Sequence, residues 1–130
     1  MRCAQGPRRA ALLALSVVAL GAHAAGDAAR GAAIASSRTT GLCVLCHALP
    51  GVPALQSGTI GPSLAGVGAR LSALQLNERL LAPERFNAAT VMPSYGRRDG
   101  FTRVANARRG QPLLDAQQID DVVAYLASLQ

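Results

Sequence analysis

The most regular hydrophobic pattern of the chain lies near its C-terminus. Apolar side chains recur there at spacings of three and four, at Ile119, Val122, Val123, Leu126 and Leu129. This spacing places them on one face of an α-helix. Asp115 and Gln118 form a variant of the capping box that begins helices, and the acidic pair Asp120 and Asp121 suits the positive end of a helix dipole. The pattern therefore predicts a C-terminal amphipathic helix.

Two shorter segments also carry signals that begin a helix. Asp27 can cap an Ala-rich helix from about 28 to 36. Ser72 and Gln75 form a capping box ahead of a leucine-rich run, and Pro83 follows the end of that run. The second pattern predicts a helix of about ten residues.

The stretches between these helices have neither helical nor strand periodicity. Segments 39–70 and 83–112 are punctuated by Gly and Pro, and we predict loops there, with one short helical piece near 102–109. The chain has only two Tyr, two Phe and no Trp. So much irregular structure is uncommon in a compact domain unless it packs around something large, such as a cofactor. The predicted fold class is all-α, with a few short helices and long loops.

The N-terminal segment has the order of features found in secretory signal peptides. Three Arg residues give a positive start, an apolar run follows at 10–21, and small residues surround Ala24. A membrane anchor is the alternative, but the run is about half of the roughly 20 residues that span a bilayer. We therefore predict a signal peptide at 1–24 and a mature periplasmic domain at 25–130.

Removal of this segment changes the charge and the set of reactive side chains. All 13 basic residues are Arg; ten of them, with all seven acidic residues, lie beyond residue 24 and leave a net charge of about +3. Scattered Arg and few aromatic residues argue against nucleic-acid binding, whereas a modestly positive surface suits a protein partner. Cys3 and His23 fall within the predicted signal peptide. The mature chain then keeps two Cys, one His and one Met, which are Cys43, Cys46, His47 and Met92.

Both mature cysteines and the histidine belong to a C-x-x-C-H haem-attachment motif. Cys43 and Cys46, at i and i+3, face the same way on one helical turn and can reach two vinyl groups at one edge of a porphyrin. His47 then comes beneath the iron as an axial ligand. The motif predicts one covalently attached haem c.

Other uses of the two cysteines explain less of the sequence. A thioredoxin-like redox pair normally lies within a βαβ unit, and this sequence has no βαβ pattern around the two cysteines. A zinc site needs a fourth ligand, and no further Cys or His exists beyond residue 24. A disulfide between Cys43 and Cys46 suits an oxidising compartment, but it leaves His47 and the long loops unexplained.

Met92 is the candidate for the second axial ligand of the iron. Beyond residue 24 the chain has no second His and no Lys. Met92 is therefore the remaining side chain that could bind the iron as a strong-field ligand. A lone Met is more often core filler, but this one lies in the loop 90–94, which Pro93 stiffens. His/Met coordination is typical of electron transfer rather than oxygen binding. We expect a large cavity between 43–47 and Met92, where a haem would lie.

Pro62 and Arg70 are candidates for contacts with the axial histidine and with the haem. A ligating imidazole usually donates its other N–H to a carbonyl, and Pro62, a short loop after His47, could accept it. Arg70 could bind a haem propionate or be a solvated surface side chain, and spacing alone does not decide between them.

These segments together resemble the class I cytochromes c. Gly61-Pro62-x-Leu64 is similar to the family's haem-packing loop, and Arg70 falls where the family often has a propionate-binding Arg. Gly31 and Tyr125 match the close crossing of its N- and C-terminal helices. The haem-binding set that the resemblance implies is Cys43, Cys46, His47, Met92, Gly61, Pro62, Leu64 and Arg70.

A narrower resemblance is to the SoxX family, the small cytochromes of bacterial thiosulfate-oxidising systems. The segments 61–72, 90–95 and 114–126 carry it, and the Arg-rich stretches at 97–98 and 108–109 depart from it. The resemblance implies a heterodimer with a larger SoxA-type cytochrome, which couples thiosulfate oxidatively to a Cys of a carrier protein. This chain would then accept the electrons and pass them to a downstream acceptor. It would catalyse no reaction of its own. The alternative is a free-standing soluble electron carrier.

Overall fold

Short helices joined by long loops make up the fold. The computed structural model describes Met1 and residues 25–130, so all of the predicted signal peptide except Met1 lies outside the described residues. The α-helices are α1 (Ala28–Ser36), α2 (Val67–Arg70), α3 (Ala73–Leu81) and α4 (Ala116–Ser128). Residues 25–130 contain no β-strand, and the predicted all-α class is confirmed. No helix in this range is long and apolar enough to cross a membrane.

Side chains of the preceding residues cap the three longer helices. The Asp27 carboxylate accepts a hydrogen bond of 2.8 Å from a backbone N–H in the first turn of α1. Ser72 and Gln75 form a reciprocal capping box at α3, and Asp115 and Gln118 form the other at α4. Each cap satisfies backbone donors that a helix leaves unpaired at its start. The three predicted helices are therefore present, each beginning where its cap predicts.

Parts of the predicted loops form short helical turns instead. Segment 39–70, predicted as loop throughout, contains 3-10 turns at Cys43–Leu45 and Ala54–Gln56 and ends in α2. The helical piece expected near 102–109 is a single 3-10 turn, Asn106–Arg108. Helices of three or four residues have no repeating apolar face, so periodicity does not reveal them.

Helices α1 and α4 cross at close range. A Cβ atom on Gly31 would clash with the backbone carbonyl of Asp121 and with the Cβ of Tyr125. Only glycine permits this approach of the two backbones, despite its cost inside a helix. The close contact of Gly31 with Tyr125, predicted from the sequence, is confirmed.

The hydrophobic core extends from this crossing to the cysteine motif. Its buried side chains come from all four α-helices and from the loops, among them Ala35, Val44, Leu49, Val67, Leu76, Leu80, Leu114 and Val122. Cys43 is itself a member of this cluster, whereas Cys46 is only half-buried. The first cysteine of the motif is thereby fixed to the core of the domain.

Candidate haem site

The C-x-x-C-H motif folds into one tight turn. The backbone N–H groups of Cys46 and His47 both donate to the carbonyl of Cys43, at 3.1 and 2.8 Å. Residues i and i+3 eclipse one another in a 3-10 helix, so Cys43 and Cys46 lie on the same side of the turn. Leu42 enters the turn in the left-handed region, with φ 62°. Cys43 and Cys46 are not joined in a disulfide.

The imidazole of His47 is held by the loop that follows it. Its Nδ1 lies 2.7 Å from the carbonyl oxygen of Pro62, and the hydrogen bond predicted between these residues is therefore present. Because a carbonyl only accepts, Nδ1 carries the proton, and Nε2 is left with a free lone pair. A Cβ on Gly61 would clash with the His47 ring, so the glycine backbone packs directly against the imidazole.

Two backbone hydrogen bonds fix this loop to the cysteine turn. The N–H of Gly61 donates to the carbonyl of Cys46 at 2.8 Å, and the N–H of Leu64 donates to the carbonyl of Ala48 at 3.0 Å. The side chain of Leu64 packs against the hydrophobic core. The segment Gly61-Pro62-Ser63-Leu64 therefore lies alongside His47, with its backbone turned towards the imidazole.

Met92 lies on a loop that is anchored on its C-terminal side. Its backbone N–H donates to Thr90 Oγ1 at 3.1 Å, and its half-buried side chain packs against the core. Three residues later, the backbone N–H and the backbone carbonyl of Tyr95 both form hydrogen bonds. Its N–H donates to Leu80 at the end of α3, at 2.9 Å, and its carbonyl accepts from Leu114 at 3.1 Å.

Tyr95 connects the Met92 loop with the cysteine turn. Its phenol O–H donates to the carbonyl of Gly41 at 2.8 Å, and the same oxygen lies 3.8 Å from Cys43 Sγ. Burial raises the pKa of the Tyr95 phenol and that of the Cys43 thiol, so both keep their protons at neutral pH. No pattern in the sequence marks Tyr95 as a site residue. Its position three residues after Met92 is the sequence feature from which it could have been identified.

Arg70 lies on α2 and contacts the loop beside His47 rather than the cysteine turn. Its guanidinium donates to the carbonyls of Ala65, at 2.9 Å, and Ser63, at 3.4 Å. The side chain is exposed. Since a guanidinium has five N–H donors, several remain for a further acceptor. The structure thus shows Arg70 as a support for the loop that carries Pro62.

The donor set fits a covalently bound haem. Two thiols lie on one side of a turn, the adjacent imidazole presents a free Nε2, and a glycine leaves room against the ring. Among residues 25–130, no three or more His, Cys, Asp or Glu side chains are grouped so as to hold a metal ion directly. The arrangement suits iron that arrives within a porphyrin.

Two open cavities of the described residues lie elsewhere on the surface. One, of about 380 Å³, is lined by residues 98–104 and 108–113. A second, of about 360 Å³, shares Arg98 and Arg108 with the first and extends to Thr39 and Asp115. Neither is the cavity predicted between 43–47 and Met92. Tyr95, buried beside Cys43, occupies part of the space next to the cysteine turn.

Comparison with known proteins assigns the family. The family described as cytochrome c matches residues 28–130. The chain belongs to the cytochrome c family. Its structure is similar to the crystal structure of SoxXA from P. pantotrophus, with a TM-score of 0.72 and 35% sequence identity over 82% of this chain and 83% of that chain. Among curated proteins, none matches this sequence.

These similarities bear out the family resemblance seen in the sequence. The chain is a SoxX-type cytochrome with a class I cytochrome c-like fold. Membership of the cytochrome c family implies a covalently bound haem c and a role in electron transfer.

Proposed function

We propose that this cytochrome is the electron-accepting subunit of a SoxAX-like complex in the periplasm. The observation that carries the proposal is the 35% identity, over 82% of the chain, with the SoxXA structure. In this proposal a larger SoxA-type cytochrome couples thiosulfate oxidatively to a Cys of a carrier protein. This chain accepts the electrons and passes them to a downstream acceptor.

Four residues hold the cofactor in this proposal. Cys43 and Cys46 attach one haem c through thioether bonds, and Nε2 of His47 and the sulfur of Met92 bind its iron. When bound, the haem supplies a one-electron redox centre. The His47–Pro62 hydrogen bond supports this assignment, since it fixes the tautomer and the orientation of the imidazole.

The neighbouring residues shape the pocket. Gly61 packs against the His47 ring, Pro62 supplies the carbonyl that orients this ring, and Leu64, which packs on the core, would line the pocket beside them. Arg70, whose guanidinium has N–H groups to spare, binds a propionate while it holds the 63–65 loop. A charge-assisted hydrogen bond of this kind stabilises a partly buried carboxylate better than a neutral donor does.

The inventory of reactive side chains supports a non-catalytic role for this subunit. Once the four ligating residues hold the haem and its iron, no Cys, His or Met is left among residues 25–130. Joining thiosulfate to a thiol forms an S–S bond and releases one proton and two electrons. A one-electron centre in this chain would take up only one of these electrons at a time, so the reaction needs a second redox centre or rapid onward transfer. That requirement is a physical reason for a partner subunit.

Periplasmic location is part of the same proposal. The signal peptide predicted at 1–24 directs export, and cleavage releases a domain of residues 25–130. Haem attachment through Cys43 and Cys46 then takes place on the exported chain.

Reconstitution with purified components tests the function. The haem-loaded chain alone should show no thiosulfate-dependent change in its haem absorption. With the larger cytochrome and the carrier protein present, thiosulfate should reduce this haem. A carrier protein whose reactive Cys is replaced by Ser provides the matched control, and it should abolish the reduction.

The free-standing electron carrier is the alternative function. It is the better description if the chain does not copurify with the larger cytochrome and if its deletion leaves thiosulfate oxidation intact in cells.

A further inference from the structure

We propose that Tyr95 is a positioning residue for Met92, whose loop it holds against the cysteine turn through its buried phenol. The inference rests on the proposed function, in which Met92 binds the haem iron. It adds a residue that belongs neither to the ligand set nor to the haem-binding residues predicted from the sequence.

The phenol makes a directed contact in a buried place. Tyr95 is only 4% exposed, and its O–H donates to the carbonyl of Gly41 at 2.8 Å. Gly41 lies two residues before Cys43, at the entry to the cysteine turn. The phenol therefore joins the two ends of the site, one bearing the cysteines and the other bearing Met92.

Haem attachment makes this contact more important. The Cys43 thiol also donates to the Gly41 carbonyl, at 3.4 Å. A thioether has no S–H, so attachment removes that donor. Tyr95 is then the side-chain donor that still satisfies this carbonyl, and a buried carbonyl without a partner carries a full desolvation penalty.

The backbone around Tyr95 is fixed as well. Its N–H and carbonyl are bound to Leu80 and Leu114, and the neighbouring Ser94 Oγ donates to Glu84 at 2.9 Å. Three residues of extended chain span about 10 Å at most, so an anchor at Tyr95 restricts where Met92 can lie. Pro93, between them, restricts the chain further.

Such an anchor favours ligation through entropy. A methionine that is already held near the iron loses less conformational freedom on binding than one on a free loop. Removal of the phenol oxygen should therefore weaken the Met92–iron bond while the helices stay folded, because the substitution leaves their caps and the apolar contacts of the Tyr95 ring in place.

The test compares Tyr95→Phe with the wild type, both as haem-loaded protein in the oxidised form. Urea titrations would follow the methionine–iron charge-transfer absorption and, in parallel, the helical circular dichroism. In the variant, the absorption should be lost at a lower urea concentration than the helices. The equilibrium constant for loss of methionine ligation should rise about tenfold, the effect of one unsatisfied buried acceptor.

Tyr125→Phe is the matched control, since it removes the phenol oxygen of the other Tyr, which no hydrogen bond among the described residues links to Gly41 or to the Met92 loop, and it should leave both transitions unchanged. If both transitions of Tyr95→Phe shift together, Tyr95 is a general core residue and the inference is wrong. Unchanged transitions overturn it too. A wild type that lacks the absorption shows instead that Met92 is not the ligand, which overturns that part of the proposed function and this inference with it.

Discussion

The guanidinium of Arg30 on α1 binds the carboxylate of Asp121 on α4 through two hydrogen bonds, Nε to Oδ2 at 2.8 Å and Nη2 to Oδ1 at 2.9 Å. The carboxylate also accepts from the backbone N–H of Asp27 at 2.8 Å and from Gln117 Nε2 at 3.1 Å. Asp121 is 2% exposed, so its charge is compensated by these donors rather than by water. This pair joins α1 to α4 beside their close crossing at Gly31.

Replacement of Asp121 should loosen the crossing. Asp121→Asn keeps the size of the side chain but turns one acceptor into a donor that faces the Arg30 guanidinium, and it removes the bidentate ion pair. The Tm, followed by circular dichroism, should fall by several degrees. Asp120→Asn, one residue earlier on α4, is the control and should have a much smaller effect. Equal Tm values for the two variants would contradict this role of the pair.

The same pair should make stability depend on pH in the acid range. The hydrogen bond from Arg30 holds the pKa of Asp121 well below its ordinary value. As pH falls, the unfolded chain therefore takes up this proton before the folded protein does. The stabilisation is complete above about pH 4, the ordinary pKa of Asp, and is lost progressively below it.

Thermal unfolding of the wild type and Asp121→Asn across this range would measure the effect, with the difference between them narrowing as pH falls. Glu84, whose pKa is also lowered, titrates in both proteins and cancels in the comparison. A difference that stays constant below about pH 4 would show that Asp121 does not titrate as described.

Covalent haem attachment has a direct signature in mass. Protein exported to the periplasm should have the mass of residues 25–130 plus one haem under denaturing conditions. Cys43→Ser with Cys46→Ser should give the bare polypeptide. A bare polypeptide from the unchanged sequence would rule out attachment, and a different N-terminus would correct the predicted cleavage site.

Met92→Ala should abolish the methionine–iron charge-transfer absorption completely, because no other Met lies among residues 25–130. The haem should stay attached, since both thioethers are untouched, and a haem stain of the denatured protein checks this. Survival of the absorption in the variant would mean that another group binds the iron.

Gly61→Ala should disturb the His47 imidazole without touching any ligand. The added Cβ would clash with the ring, and relief requires movement of either the ring or the loop. We expect a loss of about 1–3 kcal/mol in the free energy of unfolding and a shifted reduction potential. The control is Gly96→Ala, whose Cβ would meet only the flexible end of Leu81 at short range. If the two variants behave alike, the Gly61 contact is not important to the site.

Much of this protein was predictable because its signals are local in sequence. The caps Asp27, Ser72 and Asp115 act within a single turn, and they located all three longer helices. The C-x-x-C-H motif spans five residues and needs no tertiary information. Pro62 was predicted as the partner of His47 because the loop between them is short and a ligating imidazole needs an acceptor.

Other features were decided only when distant segments met. The sequence predicts that Asp121 interacts with the dipole of its own helix, but in the structure it is the buried partner of Arg30, 91 residues away. Tyr95 and Gly41 are 54 residues apart, and no pattern connects them. The position of Arg70 in the sequence fits either a propionate-binding residue or a solvated surface side chain. Its contacts with Ser63 and Ala65 exist only once α2 has formed.

The physical difference lies in the range of the interactions. Caps, helical periodicity and the cysteine spacing depend on neighbours within about one turn of chain, so the order of residues alone determines them. Buried polar groups such as the Asp121 carboxylate and the Tyr95 phenol must find partners wherever the fold supplies a donor or acceptor. Which partner that is depends on how α1, α4 and the loops pack, and the tertiary structure alone decides it.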